Sequence, residues 1–213
     1  RTDLSLPNIA ATGNLAFVTR SGASIGTQAL PLDIVVGGQV QFRDLASRNV
    51  LATDTYLYAD SGDIIFEPGT RVEGAVLEAE AAAGSVYFTD FAAAGSAGKK
   101  AEVKLVASGN ITGIERFDAD DSYIILTADG NITVPVLTGT NDAVIAIDAG
   151  GGIRIVAASG LSVDLEDTAL NAIARGGSIT LGDVMAAQGS AATLNAQENI
   201  TAGDVNLEAS TLN

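Results

Sequence analysis

The chain of 213 residues contains no cysteine, no histidine and no tryptophan, and it has only one methionine. Without cysteine and histidine it lacks the usual soft metal ligands, the Cys-His and Ser-His nucleophile systems and the most common general base. A disulfide framework is excluded as well. Any chemistry would therefore have to use carboxylates, hydroxyls, lysine and arginine.

Aromatic residues are also scarce. They make up 5% of the chain, whereas hydrophobic residues make up 47%. The core must therefore be built from Ala, Val, Ile and Leu, which suits a narrow interior. Proline is rare and glycine is not: 4 Pro against 24 Gly indicate many tight turns rather than a collagenous or disordered chain. No stretch approaches the roughly 18 apolar residues of a membrane-spanning helix, so we expect no membrane insertion.

Basic residues are few as well, with 11 Lys and Arg against 26 Asp and Glu and a net charge of −15. Nucleic acid is a poor partner for such a chain, because phosphate neutralisation needs a basic surface. Anionic membrane surfaces are disfavoured for the same reason. An acidic, repulsive surface is common among secreted and surface-exposed proteins.

A turn signal followed at once by an aliphatic residue occurs nine times, at intervals of 21 to 26 residues. The aliphatic residues, which we call the first file, are Leu15, Val40, Ile64, Val86, Ile111, Ile132, Ile153, Ile179 and Ile200. A period of this length without helical patterning is typical of a solenoid, in which each repeat buries its apolar side on its neighbours.

Two further registers support this interpretation. Two residues after each first-file position come Phe17, Phe42, Phe66, Phe88, Gly113, Val134, Ile155, Leu181 and Ala202. Alternate residues of a strand share a face, so we expect both sets to point inward and to stack from coil to coil. Six residues before the first file, seven coils carry Ile9, Ile34, Leu105, Leu126, Ile147, Ile173 and Leu194. The coils with Tyr56–Tyr58 and Leu77 interrupt this column, which predicts a register shift or an insertion there.

The sequence therefore predicts an all-β fold, a single right-handed parallel β-helix of about nine coils with 21 to 26 residues each. Residues 1–213 form one domain, which could be a segment of a longer fibre. Three variable stretches, 20–30, 89–100 and 157–168, are predicted to be insertions that decorate one side of the solenoid. Neither end shows a capping helix, so we expect the open ends to pair with other copies.

Three segments, 105–112, 126–133 and 174–181, carry or approximate the pattern Leu-x-Ala-x-Gly-(Asn/Asp)-(Ile/Val)-Thr. This pattern resembles the repeats of filamentous haemagglutinin-like exoproteins, most closely over residues 103–213. The resemblance implies a right-handed parallel β-helix from a Gram-negative bacterium, exported by two-partner secretion and displayed as an adhesive or structural surface fibre. It also implies host or environmental glycans or surface proteins as partners.

The densest group of chemical side chains is the acidic run 115–121, which contains Arg116, Asp118, Asp120 and Asp121. We interpret it as a solvated turn between coils. Two alternatives remain: a Ca²⁺ site on the three aspartates, joined by Asn141 and Asp142, or carboxylates and Arg116 acting on a polysaccharide. We predict no catalytic residue, no bound cofactor and no metal ligand beyond these calcium candidates.

Asn110, Asn131 and Asn199 each begin an Asn-Ile-Thr triplet, the acceptor sequence for N-glycosylation. All three occupy the same place in the coil. We favour a structural role, in which stacked Asn side chains form a hydrogen-bonded ladder between coils.

The predicted function is a structural module of an extracellular bacterial fibre or adhesin without catalysis. The alternative is a polysaccharide-binding or polysaccharide-degrading β-helix protein of the lyase, hydrolase or tailspike type. That alternative needs a cleft in which acidic residues converge with Arg or with an aromatic platform.

Overall fold

The computed structural model describes residues 8–19, 24–25, 32–44, 49–51, 54–66 and 68–213. In these ranges the protein is an all-β parallel solenoid, as predicted, and no helix occurs. It has about eight turns, whereas about nine coils were predicted. Consequently the described residues include no helix that could cross a membrane.

Each turn of the solenoid contributes short strands separated by tight corners. The strands are β1 (Asn8–Ala11), β2 (Leu15–Thr19), β3 (Ser24–Ile25), β4 (Leu32–Val36), β5 (Val40–Asp44), β6 (Asn49–Leu51), β7 (Thr55–Ala59), β8 (Ile64–Phe66), β9 (Thr70–Glu73), β10 (Val76–Ala81), β11 (Val86–Ala94), β12 (Ala101–Ala107), β13 (Ile111–Asp120), β14 (Ser122–Ala128), β15 (Ile132–Thr133), β16 (Val136–Thr140), β17 (Ala143–Ala149), β18 (Ile153–Ile155), β19 (Leu161–Glu166), β20 (Thr168–Ala174), β21 (Ile179–Leu181), β22 (Asp183–Ala187), β23 (Ala191–Ala196), β24 (Ile200–Thr201), β25 (Val205–Leu207) and β26 (Thr211–Leu212).

These strands form three parallel ladders along the solenoid axis. Face A is a ten-stranded sheet in the order β1-β4-β7-β10-β12-β14-β17-β20-β23-β26. Face B runs β2-β5-β8-β11-β13-β15-β18-β21-β24, and face C contains β3, β6, β9, β16, β19, β22 and β25. The long strands β11 and β13 belong to both, because their second halves pair with β9 and β16 on face C. The cross-section therefore has three sides.

The predicted first file is confirmed over its whole length. Its members are direct Cα partners on face B from Leu15–Val40 through to Ile179–Ile200. The seven members from Val40 to Ile179 are fully buried. Each such side chain contributes roughly 1.5–3 kcal/mol by leaving water, so the file is a main source of stability.

The phenylalanine register is confirmed as well. Phe17, Phe42, Phe66 and Phe88 are successive Cα partners, and Gly113 follows Phe88 in the same ladder. Within the core, the rings of Phe88 and Phe117 meet edge to face at 5.4 Å, and those of Phe91 and Phe117 stack at 5.0 Å. A Cβ on Gly113 would lie only 2.5 Å from the Phe88 ring. The file changes to glycine there because the aromatic rings already fill the space.

The third predicted column is wrong at one position. On face A, Ile147 pairs with Ala172 rather than Ile173, and Ile173 pairs with the outward Asp148. In the two coils that interrupt this column in the sequence, Leu57 and Ala79 fill it, and they connect Ile34 to Leu105 in the ladder. The physical reason is turn length. The turn between Ala128 and Ile132 has three residues, whereas the turns before Ile64, Val86 and Ile179 have four. In the coils with the longer turn, the inward residue of this column therefore lies seven rather than six residues before the first-file residue.

Two of the three predicted insertions are wrong, because they hold strands of face C. Residues 89–94 belong to β11, and residues 161–166 form β19. Within these two stretches only 95–100, 157–160 and Asp167 lie outside strands. Apart from β3 at Ser24–Ile25, the stretch 20–30 lies outside the described residues.

The corner between faces C and A uses left-handed backbone in many coils. A positive φ occurs at this corner in five coils, at Gly74 (54°), Asp121 (43°), Asn141 (54°), Asp167 (50°) and Gln188 (54°). Asn, Asp and Gly adopt this region most readily, which explains part of their abundance at this corner. Small residues such as Ala101, Ser122 and Ala143 follow inside the corner, where they are buried.

Candidate binding surface

Face A carries most of the exposed aromatic and apolar side chains on the flank of the solenoid. Tyr56, Tyr58 and Tyr123, three of the four tyrosines of the chain, lie on its outward side. Val35 is 53% exposed, Tyr123 45% and Tyr56 37%. Exposed apolar side chains grouped on one face, rather than scattered singly, indicate a contact surface.

At one end of this face the side chains line a groove with a volume of about 390 Å³. Its polar lining consists of Asp33, Tyr56, Tyr58, Glu78, Glu80 and Lys104. The strand register places these residues in two rows across β4, β7, β10 and β12. Asp33, Tyr56, Glu78 and Lys104 form one row, and Val35, Tyr58, Glu80 and Val106 form the other.

The groove is electrostatically negative. Partial burial, followed by the charges of Asp54, Glu78, Asp33 and Glu102, raises the pKa of the Tyr56 hydroxyl above its ordinary value of 10.0. Lys104 is the cation in the lining, and its Nζ lies 3.8 Å from a Glu78 carboxylate oxygen. Both side chains are exposed, so this pair contributes at most about 1 kcal/mol and leaves most of the acidic field in place.

The predicted acidic run 115–121 is mostly not a turn. Residues up to Asp120 lie in β13, and Phe117 in its middle is fully buried. Only Asp121 occupies a corner, with φ 43°. The buried Phe117 and Ala119 alternate with Asp118 and Asp120 because strand residues alternate between the interior and solvent.

The three aspartates of the calcium hypothesis each have a partner within the protein. Asp118 accepts hydrogen bonds from the Arg116 guanidinium at 2.7 and 3.0 Å, and this pair raises the pKa of Arg116. Asp120 accepts from the Thr140 hydroxyl at 3.1 Å and from the Asn141 amide at 2.6 Å. Asn141 therefore donates to the cluster rather than offering its oxygen. Across the described ranges, no group of three acidic side chains is placed to hold a metal ion.

Asp121 belongs to an ion-pair network that connects neighbouring coils. Lys100 Nζ donates to the carboxylate and the main-chain oxygen of Asp142 at 2.8 and 2.6 Å, and it lies 3.2 Å from Asp121. It also lies 5.1 Å from the centre of the Tyr123 ring, in the range of a cation–π contact. The hydrogen bond to Asp142, and then that to Asp121, outweigh partial burial and raise the pKa of Lys100 above 10.5.

Several of the turns before first-file residues are joined by a hydrogen-bonded ladder, although not of the kind predicted. Asn110 Oδ1 accepts a hydrogen bond from the main-chain N–H of Asn131 at 2.8 Å, and Asn131 Oδ1 accepts one from Gly152 at 2.8 Å. Asn14, Asp63 and Ser85 make the same bond to the next coil. The ladder therefore joins side chains to main chain rather than side chain to side chain. It gives Asn110 and Asn131 a structural role.

Comparison of the chain with protein-family models, with curated proteins and with solved structures gave no match. The protein is a parallel β-solenoid. The finer resemblance to filamentous haemagglutinin-like repeats stays a prediction, and so does the right-handed sense of winding.

The groove on face A was not predicted from the sequence. Its signal was present as the outward alternation Tyr56–Leu57–Tyr58 and Glu78–Ala79–Glu80. The four-residue turns before Ile64 and Val86 decide which residues of these segments face outward. Counting six residues back from Ile64 and Val86 gives Tyr58 and Glu80 as inward residues, whereas the structure places Leu57 and Ala79 inward. The interrupted column concealed this register.

Proposed function

We propose that the chain is a structural module of a secreted or cell-surface fibre or adhesin of a Gram-negative bacterium, acting as a rigid rod without catalysis. The observation that carries the proposal is the continuous first file, nine aliphatic positions in strict Cα register. Such an interior stabilises length and straightness rather than a single enclosed site. The resemblance to surface exoproteins adds the location and the adhesive role.

Assembly through the end of the solenoid is part of the proposal. In the last turn Ile200, Val205 and Leu207 are 49%, 41% and 42% exposed. Their partners one coil earlier, Ile179, Val184 and Ala186, are buried. Within residues 8–213 the interior side chains are therefore uncovered at this last turn, and a further coil layer, from the same polypeptide or from another copy, would cover them. We propose that a second copy of this chain provides that layer.

Electron microscopy tests this assembly. Rods that stack end to end should give filaments whose length grows with protein concentration. The double variant Val205→Lys, Leu207→Lys should give discrete particles, because buried lysines would oppose stacking. Val144→Lys is the matched control, since Val144 is an exposed apolar residue on the flank of face A. If the unaltered protein gave only discrete particles at all concentrations, end-to-end assembly would be wrong.

The alternative function, action on polysaccharide, divides into binding and degradation. The groove on face A, with acidic residues and two tyrosines, favours binding. Degradation has less support, because Asp118 and Asp120 are held by Arg116, Thr140 and Asn141. Incubation with a panel of acidic and neutral polysaccharides should give no shortened products. Release of reducing ends would contradict the proposal that the protein is not an enzyme.

A further inference from the structure

The groove on face A offers more hydrogen-bond acceptors than donors, and its side-chain donors are the Lys104 ammonium and the hydroxyls of Tyr56 and Tyr58. Asp33, Glu78 and Glu80 contribute carboxylates, which only accept when ionised, while Lys104 is already close to Glu78. A ligand that fits this lining must bring the donors itself. Hydroxyl and ammonium groups meet that requirement, whereas carboxylates, sulfates and phosphates do not.

The charge of the groove narrows the class of ligand that could bind there. Three carboxylates line it against one ammonium group, and the whole chain carries a net charge of −15. An anionic polymer would be repelled both locally and at long range, and a cationic ligand would be attracted. The faces of tyrosine rings also attract organic cations, through the negative face of the π system.

The tyrosines supply an apolar platform beside these acceptors. Tyr56 and Tyr58 are alternate residues of β7, so their side chains leave the same face about 6.6 Å apart along the strand. Asp33 and Glu78 are the direct strand partners of Tyr56 on its two sides. Each ring is thus placed beside acidic side chains, an arrangement that suits a ligand with both a flat apolar surface and cationic groups.

The main chain around the groove argues against an extended peptide as the ligand. The strands β4, β7, β10 and β12 each pair with a neighbour on both sides within face A. No strand edge is therefore open here, and a peptide could not bind by adding a strand to the sheet. A sugar chain needs no strand edge, because its rings stack on aromatic side chains and its hydroxyls donate to carboxylates.

We propose that this groove binds an amine-bearing glycan, with sugar rings on Tyr56 and Tyr58 and ammonium groups at Glu78 and Glu80. The four lining strands span about 14 Å at ~4.8 Å per strand, enough for a short run of sugar units along the axis. The proposal adds a ligand class to the rod and does not depend on end-to-end assembly.

Calorimetric titration with three probes tests the ligand class. A hexamer of glucosamine, used at mildly acidic pH where its amines are protonated, should bind with one saturable site per chain. The hexamer of N-acetylglucosamine has the same rings without the charge and should bind at least about 10-fold more weakly. Hexalysine carries the charge without sugar rings and should also bind at least about 10-fold more weakly, because cation and ring contacts each contribute on the order of 1 kcal/mol or more.

Two pairs of variants locate the site. Tyr56→Ala combined with Tyr58→Ala should weaken glucosamine-hexamer binding by about 10-fold or more, whereas Tyr87→Ala, on the outward side of face B, should not. Glu78→Gln combined with Glu80→Gln should weaken it similarly, whereas Glu115→Gln should not. All six substituted side chains point outward or are partly exposed, so circular dichroism should confirm an intact fold.

Several outcomes would overturn the proposal. Equal binding of the acetylated hexamer would remove the requirement for amines. Equal binding of hexalysine, unaffected by the tyrosine variants, would mean charge attraction to a peptide instead of glycan recognition. Absence of binding by all three probes would remove the site, while filament formation in the microscope would still stand or fall by itself.

Discussion

At the scale of single residues, the interior of this solenoid is specified by volume as much as by hydrophobicity. Gly113 occupies a place that is Phe in the four preceding coils of the same file. The ring of Phe88, which contacts Phe117 edge to face, occupies the volume that a side chain at 113 would need. Gly113 departs from the repeat because the neighbouring Phe88 ring leaves no room for a side chain there.

Gly113→Ala should therefore destabilise the protein by about 1–3 kcal/mol, because the added methyl would overpack the aromatic cluster. Gly13→Ala is the control, since a Cβ at Gly13 would meet nothing within 4 Å. Its effect should stay within about 0.5 kcal/mol. Chemical denaturation of both variants measures the difference, and equal midpoints would show that the core can absorb the methyl group.

The turn ladder makes a second prediction at this scale. Asn131→Ala removes the acceptor of the Gly152 N–H and should cost about 0.5–1.5 kcal/mol. Asn131→Ser should recover part of that loss, because Ser85 Oγ accepts the equivalent bond from Asn110 at 3.0 Å. Hydrogen exchange at the Gly152 amide, measured with unfolding by denaturant, distinguishes the two variants. If Asn131→Ala and Asn131→Ser had the same stability and the same exchange rate, water would replace the hydrogen bond to Gly152 at no cost in free energy.

At the scale of strands and turns, the sequence predicts faces A and B well and face C poorly. The first file stands directly after a Gly-rich turn of constant character, so counting from the turn locates it without error. In β11 and β13 the chain passes from face B to face C within one strand, without a turn signal. The face C part of β11, residues 91–94, consists largely of alanine. Alanine carries little strand preference, so these segments resembled insertions.

The same reasoning explains which parts of the surface could be predicted. The asparagine positions were identifiable because they sit in the turn itself. The groove was not, because its two central coils have turns one residue longer, so that the residues six places before Ile64 and Val86 are the outward Tyr58 and Glu80. Ile173 was misplaced for the same reason. Register between coils is set by turn length, and one extra residue reverses the inward and outward sides in the count.

The Lys100 network predicts how stability depends on pH at the corner between faces C and A. The folded state raises the pKa of Lys100 above 10.5, and it also raises that of Tyr56 above 10.0. A raised pKa means that the folded state binds protons more tightly. Both contributions are therefore complete below the unfolded values and are lost as the pH rises through the folded ones.

Thermal melting on either side of pH 10.5 should consequently show a loss of stability on the alkaline side. In Lys100→Met this loss should be smaller, because only the Tyr56 contribution remains. Lys104→Met serves as the control, since its ammonium lies 3.8 Å from Glu78 in an exposed pair. Unchanged pH dependence in Lys100→Met would rule out a stabilising role for the ion pairs with Asp121 and Asp142.

At the scale of the whole molecule, the coil is the unit that can be removed. Deletion of residues 132–152 joins Asn131 to Ile153 and takes out one 21-residue repeat between Cα partners. The shortened chain should fold with a cooperative transition, because each repeat contacts mainly its neighbours. Its rod should be about 4.8 Å shorter in small-angle scattering.

Deletion of residues 132–141 is the control, because it removes about half a coil and brings face A sequence into the place of face B. This variant should lose the cooperative transition. If both deletions behaved alike, the coil would not be the structural unit.

The hydrogen bonds of the turn ladder run in one direction. In each of these hydrogen bonds the acceptor side chain belongs to the earlier coil and the donor N–H to the later one. Asn110 Oδ1 thus accepts from the Asn131 N–H, and Asn131 Oδ1 accepts from the Gly152 N–H. The described coils therefore have a direction, with side-chain acceptors facing the later coil and main-chain donors facing the earlier one. Copies that stack head to tail continue this direction of hydrogen bonding, whereas copies that stack tail to tail would bring acceptors against acceptors. Any fibre built from them has polarity, with distinct growing and trailing tips.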